Sequence, residues 1–441
     1  MKPELDNPSV HRYMRVYNYY KQLILSQQLA PGSRLPSIRR CAAELQMSRT
    51  TVETAYMVLA AEGYIISRPQ SGFYVTEIAR TRRQAEQRKK EIPQQKQKVR
   101  YNFASAGVDK ETFRFELWRR YIKSALRQDE RLLSYGEPQG EYDLREVLCR
   151  YLQNNRNVVC TPEHIVIGAG IQSLLHILCP LIQKRKQVFF YNPGFRQGRA
   201  IFEDYNFQIC GSKKVKPDVC YVSPSQITSW GEVLSVQERM KLLREASREN
   251  MLLIEDDYNS EFKYFQKPVP SLQGLAGGRN VIYLGTFSKM LLPSIRISYM
   301  VLPPELMERY EVRKDSYNQT ASKAEQIALT QFIRDGHLAS QIRKSRKIHL
   351  AKAEKLAESI HKVFGDAVNV KIGEAGFMVQ IIFSDETDVK KVAKTARKEG
   401  LTFREAEGHT LLLTCAGVES DKYEEAMQIL AKCVIIGERK G

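Results

Sequence analysis

Long hydrophobic runs are missing from this 441-residue chain. No apolar stretch approaches the ~18–20 residues a membrane span needs. The opening segment, MKPELDNPSVHRY, has no apolar h-region, so no secretory signal is expected. The eight cysteines form no CxxC pair and no metal-ligand spacing. That pattern fits reduced thiols, predicts no metal site, and places the protein in the cytoplasm. No internal repeat is visible. A hydrophobic fraction of 43% is ordinary for a globular protein, and the length suits two to three domains.

What the chain has in excess is positive charge, and it is unevenly spread. The formal net charge is +18, and residues 1–100 hold 18 Lys/Arg against 8 Asp/Glu. Less than a quarter of the chain thus carries more than half of the net charge. A basic N-terminal module attracts phosphate backbones, although a solvated basic face would have the same composition.

The periodicity of that module predicts three helices and two short strands. Residues 10–29 read as a helix, with Val16, Tyr20, Leu23 and Gln27 on one face and Tyr17 and Ile24 beside them. Pro31-Gly32-Ser33 ends it. A short helix follows over Ser37–Leu45, behind Pro36. Ser48 can cap a third helix starting at Arg49. Val52, Ala55, Tyr56 and Leu59 form the core face of that helix, leaving Arg49, Thr50, Thr51 and Thr54 largely outside it. Tyr64–Ser67 and Phe73–Val75 alternate as strands around a turn at Arg68–Gly72. Arg40 and Lys21 read as solvated charge. Residues 78–100 are polar and rich in Gln, Lys and Arg, the composition of a basic linker. The predicted first domain is therefore 1–77.

From residue 101 helix-like segments alternate with six short apolar strands: HIVIGAG, QVFFYNP, VCYVSP, MLLIEDD, NVIYLGT and ISYMVLP. Each ends in small or polar residues. A mostly parallel sheet covered by helices reads this way, with chemistry at the carboxyl ends of its strands. The last hundred residues read as a smaller α+β lobe. The predicted second domain is 101–441, with a large lobe at about 130–310 and a small lobe at about 101–129 and 311–441.

The run GSRLPSIRRCAAELQMSRTTVETAYMVLAAEGYIISRPQSGFYV resembles the winged helix-turn-helix of the GntR superfamily, matching nearly every element of its rhythm over about forty residues. The resemblance implies binding to double-stranded DNA. A recognition helix presents its N-terminal residues to base edges in the major groove. Arg49 has the reach for a guanine, while Ser48, Thr50 and Thr51 suit phosphates or bases. By resemblance Arg39 approaches the backbone, and the wing tip from Arg68 to Gly72 reaches the minor groove.

Residues 101–441 resemble fold-type I aminotransferases, and among them the MocR/GabR-like regulators. The motif YLGTFSKMLLPSIRISY carries the resemblance. It implies a Schiff base between pyridoxal 5'-phosphate (PLP) and Lys289. Arg296, Thr286 and Ser288 are implied as holders of the PLP phosphate. In MLLIEDDYNSEF the resemblance assigns Asp256 to the pyridine nitrogen and Tyr258 to the ring 3'-oxygen, with Asp257 pointing elsewhere. A carboxylate there keeps the ring an electron sink. In IVIGAGIQSLLHIL a helix N-terminus offers an anion its free N–H groups, so Gly170, Ile171 and Gln172 are phosphate candidates. Phe195 stands where the family stacks an aromatic ring on the cofactor. Tyr135, in SYGEPQGEYDLR, is implied to reach the phosphate held by a partner subunit, which implies a homodimer.

Three segments depart from the family pattern. SPSQITSWG replaces S-H-Q-x-P-T-G, with Thr228 where aminotransferases have an asparagine. A-G-L-H is AGFM, with Phe377 and Met378. The strand HTLLLTCAG has no arginine for a substrate carboxylate, and Arg404 is merely near it in sequence. Groups that hold PLP are kept and groups that hold substrate are altered. That favours a PLP-dependent transcription regulator that senses PLP or an amine or amino-acid ligand, with weak or partial transamination at most. Two rivals use the same residues: a working aminotransferase with an added DNA-binding domain, and a PLP-independent regulator whose large domain is a dimerisation scaffold.

Overall fold

The computed structural model describes residues 11–77, 99–105, 111–192, 194–211, 216–228, 230–262, 269–374 and 378–438, without the side chains of 405–407 and 436–438. The chain divides into two compact units, 1–96 and 97–441. Most of the segment read as a linker, 78–100, lies outside the described residues, as does Phe377.

The first unit packs three helices and a hairpin: α1 (Arg12–Leu25), α2 (Ile38–Leu45), α3 (Arg49–Ala61), β1 (Ile65–Arg68) and β2 (Gly72–Val75). The first helix stops short of the expected 10–29. Ser26 caps it, and Gln27 takes a positive φ, turning the chain before Pro31. Ser37 and Ser48 accept the backbone N–H groups of Arg40 and Thr51, capping α2 and α3. Val52, Ala55, Tyr56 and Leu59 are fully buried, against Val16, Tyr20 and Ile24. The strands β1 and β2 pair antiparallel from Ile65–Val75 to Arg68–Gly72. Lys21 is not solvated charge. Its Nζ donates to Tyr17 Oη at 2.6 Å, lies 5.1 Å from the Tyr64 ring centre and pairs with Glu62 at 3.6 Å. The aliphatic stem of a lysine covers apolar surface well, and composition alone does not reveal that.

The second unit is a sheet covered by helices, with a smaller lobe. Its strands are β3 (Tyr101–Phe103), β4 (Ile165–Gly168), β5 (Gln187–Phe190), β6 (Gln208–Cys210), β7 (Val219–Val222), β8 (Leu252–Asp256), β9 (Val281–Thr286), β10 (Ser298–Val301), β11 (Asn369–Ile372), β12 (Met378–Ile382), β13 (Leu401–Phe403), β14 (Glu405–Glu407) and β15 (Thr410–Thr414). The large sheet runs β4-β10-β9-β8-β7-β5-β6, with only β10 antiparallel to its neighbours. All six strands read from the sequence are in it. The seventh, β6, is a three-residue edge strand without a buried residue, so it lacks the apolar run that marks the others. Strands β7, β8, β9 and β10 are buried along their whole length. Helices on both faces require that, and it explains why these strands read as continuous apolar runs.

The smaller lobe contains an antiparallel sheet, β11-β12-β15-β14, and a parallel pair of β13 with β3. The pair ties the start of this unit to residues three hundred positions later. Among the described residues, no helix is long and apolar enough to cross a membrane.

Candidate functional site

The carboxyl ends of the parallel strands bring the predicted residues together. Asp256 is the last residue of β8, and Thr286 the last of β9. Lys289 and Arg296 both lie on the connection from β9 to β10.

Asp256 and its neighbour Asp257 have opposite surroundings. Successive side chains of a strand end point to opposite faces. Asp257 faces inward, where it accepts Arg156 Nε at 2.8 Å, Ser225 Oγ at 2.6 Å and Tyr283 Oη at 2.6 Å. Burial pushes its pKa up, but Arg156, Ser225 and Tyr283 together outweigh burial and hold it down at about 2. Among the described residues Asp256 accepts one hydrogen bond, from Tyr221 Oη to Oδ2 at 2.7 Å, and its buried Oδ1 has no partner. Burial is the main cause that lifts Asp256 to about 6, with Asp257 adding to it and Tyr221 and Lys289 opposing.

Lys289 Nζ donates to Asn259 Oδ1 at 3.0 Å and lies 4.2 Å from the ring centre of Tyr258. Burial and then the positive charge of Arg404 push it down to about 7, against the pull of Asp256. Such a lysine is about half in its neutral, nucleophilic form near neutral pH. The Tyr258 hydroxyl is driven up by burial and by Asp256.

Phe195 stands beside this group. Its ring centre is 5.5 Å from that of Tyr221, tilted by 36°, and the ring also covers Gly198, where a Cβ would overlap it. A second group lies at the first residues of the helix Ile171–Leu181. Gly170 caps that helix with a φ of +94°, and a Cβ there would overlap the Arg296 guanidinium. Only glycine allows both the backbone conformation and that approach. Ile171 is half-buried and Gln172 exposed at the helix start. Thr286 Oγ1 accepts the backbone N–H of Ser288 at 3.2 Å and the hydroxyl of Ser298 at 2.8 Å, so Thr286 and Ser288 form a hydroxyl cluster at the end of β9. Tyr135 joins neither group. Its side chain is fully exposed, as Leu133 nearly is, on a loop that Lys323 fastens through Ser134.

The departures from the family pattern also have places. Thr228 Oγ1 accepts the N–H of Glu232 at 3.1 Å and so closes a turn. Met378 is buried at the start of β12. The strand β15 is apolar, and the Arg404 N–H bonds to Leu412 O at 3.0 Å from the adjacent strand. Arg404 therefore enters the sheet beside the strand that lacks an arginine, and its charge bears on Lys289 and Tyr258.

Sequence reasoning missed Tyr221, Asn259, Gln226 and Arg156. Tyr221 is the polar exception in an otherwise apolar strand, which is a usable signal. Asn259 follows directly on the EDDY run. Arg156, a hundred residues from its aspartate, gives no local signal.

In the first unit Arg39, Ser48, Arg49, Thr50 and Arg68 are exposed, while Thr51 and Gly72 are half-exposed. Ser48 Oγ and Thr51 Oγ1 are 2.8 Å apart, so both hydroxyls serve the cap of α3. The Arg68 guanidinium lies 4.5 Å from the Tyr74 ring centre, beside the turn of the wing. Arg40 pairs with Glu44 at 2.7 Å on the surface.

Comparison with known proteins agrees with both halves of this description. Residues 12–75 match the bacterial regulatory proteins of the gntR family, and residues 228–430 match aminotransferase class I and II. The chain is 35% identical over 418 residues to the uncharacterized HTH-type transcriptional regulator YhdI of Bacillus subtilis, covering 91% of this chain and 89% of that one. It is 27% identical over 429 residues to the probable rhizopine catabolism regulatory protein MocR of Rhizobium meliloti, covering 89% and 86%. The crystal structure of a multiple substrate aminotransferase from Thermococcus profundus shares the fold of 79% of this chain and 94% of its own, with a TM-score of 0.67 and 21% identity. A GntR-type DNA-binding head followed by an aminotransferase fold defines a class of HTH-type transcriptional regulators. This chain belongs to the MocR-like family within it.

Proposed function

We propose that this regulator holds PLP at Lys289 and that occupancy of this site sets its affinity for operator DNA. The observation that carries the reading is the buried Oδ1 of Asp256, left without a partner among the described residues in a site that also contains the Lys289 amine. A buried polar atom without a partner is costly, so a ligand with a protonated ring nitrogen fits there. PLP supplies such a nitrogen, an aldehyde that condenses with amines, and an electron-withdrawing ring.

The chain's own residues would share the remaining work. Asp256 holds a proton at the ring nitrogen, with its other oxygen fixed by Tyr221. Phe195 stacks on the ring, and Tyr258 serves the 3'-oxygen. Arg296, Thr286, Ser288 and the helix start at Gly170, Ile171 and Gln172 hold the phosphate by charge, hydroxyl and backbone N–H. Tyr135 of the partner subunit completes the cradle, so the working form is a homodimer, located in the cytoplasm with its DNA. The effector is PLP itself or an amine or amino acid joined to it. On double-stranded DNA, Arg49, Ser48, Thr50 and Thr51 face the major groove, Arg39 the backbone, and Arg68 and Gly72 the minor groove. A ligand shifts DNA binding only by favouring one arrangement of the two units.

The test is visible absorbance of the full chain with added PLP, before and after borohydride, beside Lys289→Ala. A band that borohydride fixes to Lys289, absent from the variant, is expected. Ligand-dependent operator binding should disappear with it, while ligand-free DNA affinity stays. An identical response to PLP in Lys289→Ala would refute the reading.

A further inference from the structure

Two buried amides stand between Lys289 and the wall of the site, and no role has been given to either. Asn259 is 1% exposed and Gln226 4%. Lys289 Nζ donates to Asn259 Oδ1 at 3.0 Å, and Asn259 Nδ2 donates to Gln226 Oε1. The backbone of Gln226 is fixed in turn, because Asn192 Nδ2 donates to its carbonyl at 2.7 Å. The relay has one direction. As placed, Lys289 Nζ takes the oxygen of the Asn259 amide, which leaves the amide nitrogen to donate to Gln226.

We propose that Asn259 and Gln226 are positioning residues of the lysine site, aiming the Lys289 amine with a neutral acceptor where a carboxylate would trap it as an ammonium ion. This role rests on the reading of Lys289 as the attachment point for PLP. An amide and a carboxylate have nearly the same shape, so geometry alone would accept Asp at 259. Their electrostatics differ. A carboxylate 3 Å from an ammonium favours the charged form by roughly one to three pKa units, and the charged form has no lone pair with which to attack an aldehyde. The charges that act on Nζ are Arg404, entering from the smaller lobe, and Asp256 from β8, while the Tyr258 ring packs against it. A neutral Asn259 leaves burial and Arg404 in control, and these hold the amine near neutral pH.

The test uses the ligand-free full chain, so it does not depend on PLP. Lys289 is acetylated with acetic anhydride at a series of pH values, and the extent at this lysine is read by peptide mass spectrometry. In the wild type the midpoint should lie near 7, well below that of exposed lysines. In Asn259→Asp it should rise by at least about one pH unit, which slows labelling at pH 7 by about fivefold or more. Asn259→Ala should keep a low midpoint but bind PLP more weakly, because the amine loses its anchor. A wild-type midpoint near the ordinary value of about 10.4 would overturn the proposal without any variant. So would an unshifted midpoint in folded Asn259→Asp. If labelling behaves as expected and PLP still fails to attach to the wild type, the PLP reading falls and the amide relay stands.

Discussion

Asp256→Asn should make the ligand-free protein more stable and the PLP-bound protein less so. The carboxyl is lifted from 3.8 to about 6, chiefly by burial. Below pH 4 the group is protonated in the folded and unfolded chains alike, and burial costs nothing. Between pH 4 and 6 the unfolded chain ionises first, so stability falls as pH rises. Above pH 6 both forms are charged and the cost is constant. At about 1.4 kcal/mol per pKa unit the full cost is about 3 kcal/mol at pH 8, of which about half remains at pH 5. Asparagine removes it while keeping an oxygen for Tyr221. Both tryptophans, Trp118 and Trp230, lie in the second unit, so urea unfolding followed by selectively excited tryptophan fluorescence reports that unit alone. The variant should gain up to about 3 kcal/mol at pH 8 and less at pH 5. Added PLP should stabilise the wild type strongly and the variant little, because binding to the folded state alone adds RT ln(1 + [L]/Kd). A gain that does not change with pH would refute the account of Asp256 as a buried charge. Equal PLP stabilisation of both proteins would refute its role at the ring nitrogen.

Other substitutions test other parts. Arg49→Ala should weaken operator binding by about 1–3 kcal/mol and flatten its salt dependence, read by fluorescence anisotropy at two salt concentrations; an unchanged affinity would remove Arg49 from the interface. Gly170→Ala puts a Cβ into the Arg296 guanidinium at a backbone angle that L residues rarely adopt, so PLP affinity should fall at least about tenfold. Equal affinity would show that Arg296 does not hold the phosphate. Tyr135→Phe should lose a hydrogen bond to a charged phosphate, about 1.5–3 kcal/mol of PLP affinity, with the dimer intact by sedimentation. A wild type that sediments as a monomer with PLP bound would exclude the partner's contribution altogether.

The parts of this protein legible in its sequence are those fixed by local pattern. The buried strands announce themselves because helices cover both faces of the sheet, which removes the polar alternation of a half-exposed strand. The cap at Ser48 is equally visible, since a hydroxyl just before an apolar-periodic helix suits its free N–H groups, whereas Ser37, read as the first residue of its helix, turns out to cap it. The edge strand β6 escapes, being three residues long and unburied. Lys21 misleads because two of its three partners, Glu62 and Tyr64, are more than forty residues away.

Asp256 and Asp257 show where local pattern stops. The sequence delivers two equivalent carboxylates to one strand end, and resemblance alone ranked them. What separates them chemically is distant: Arg156 on a helix before the sheet, Ser225 after β7 and Tyr283 within β9 all converge on Asp257, while among the described residues only Tyr221 donates to Asp256. Three partners spend one carboxylate on holding the fold, while the other keeps a bare oxygen. The same reasoning applies to Lys289, whose reactivity depends on a neutral Asn259 beside it and on Arg404, brought in by a strand from the smaller lobe. A motif of seventeen residues identifies the lysine, but its proton is governed by residues that the motif does not contain. Function at this site is therefore a property of convergent loops, and substitutions at Asn259 or Arg404 should alter it while every residue of the motif stays in place.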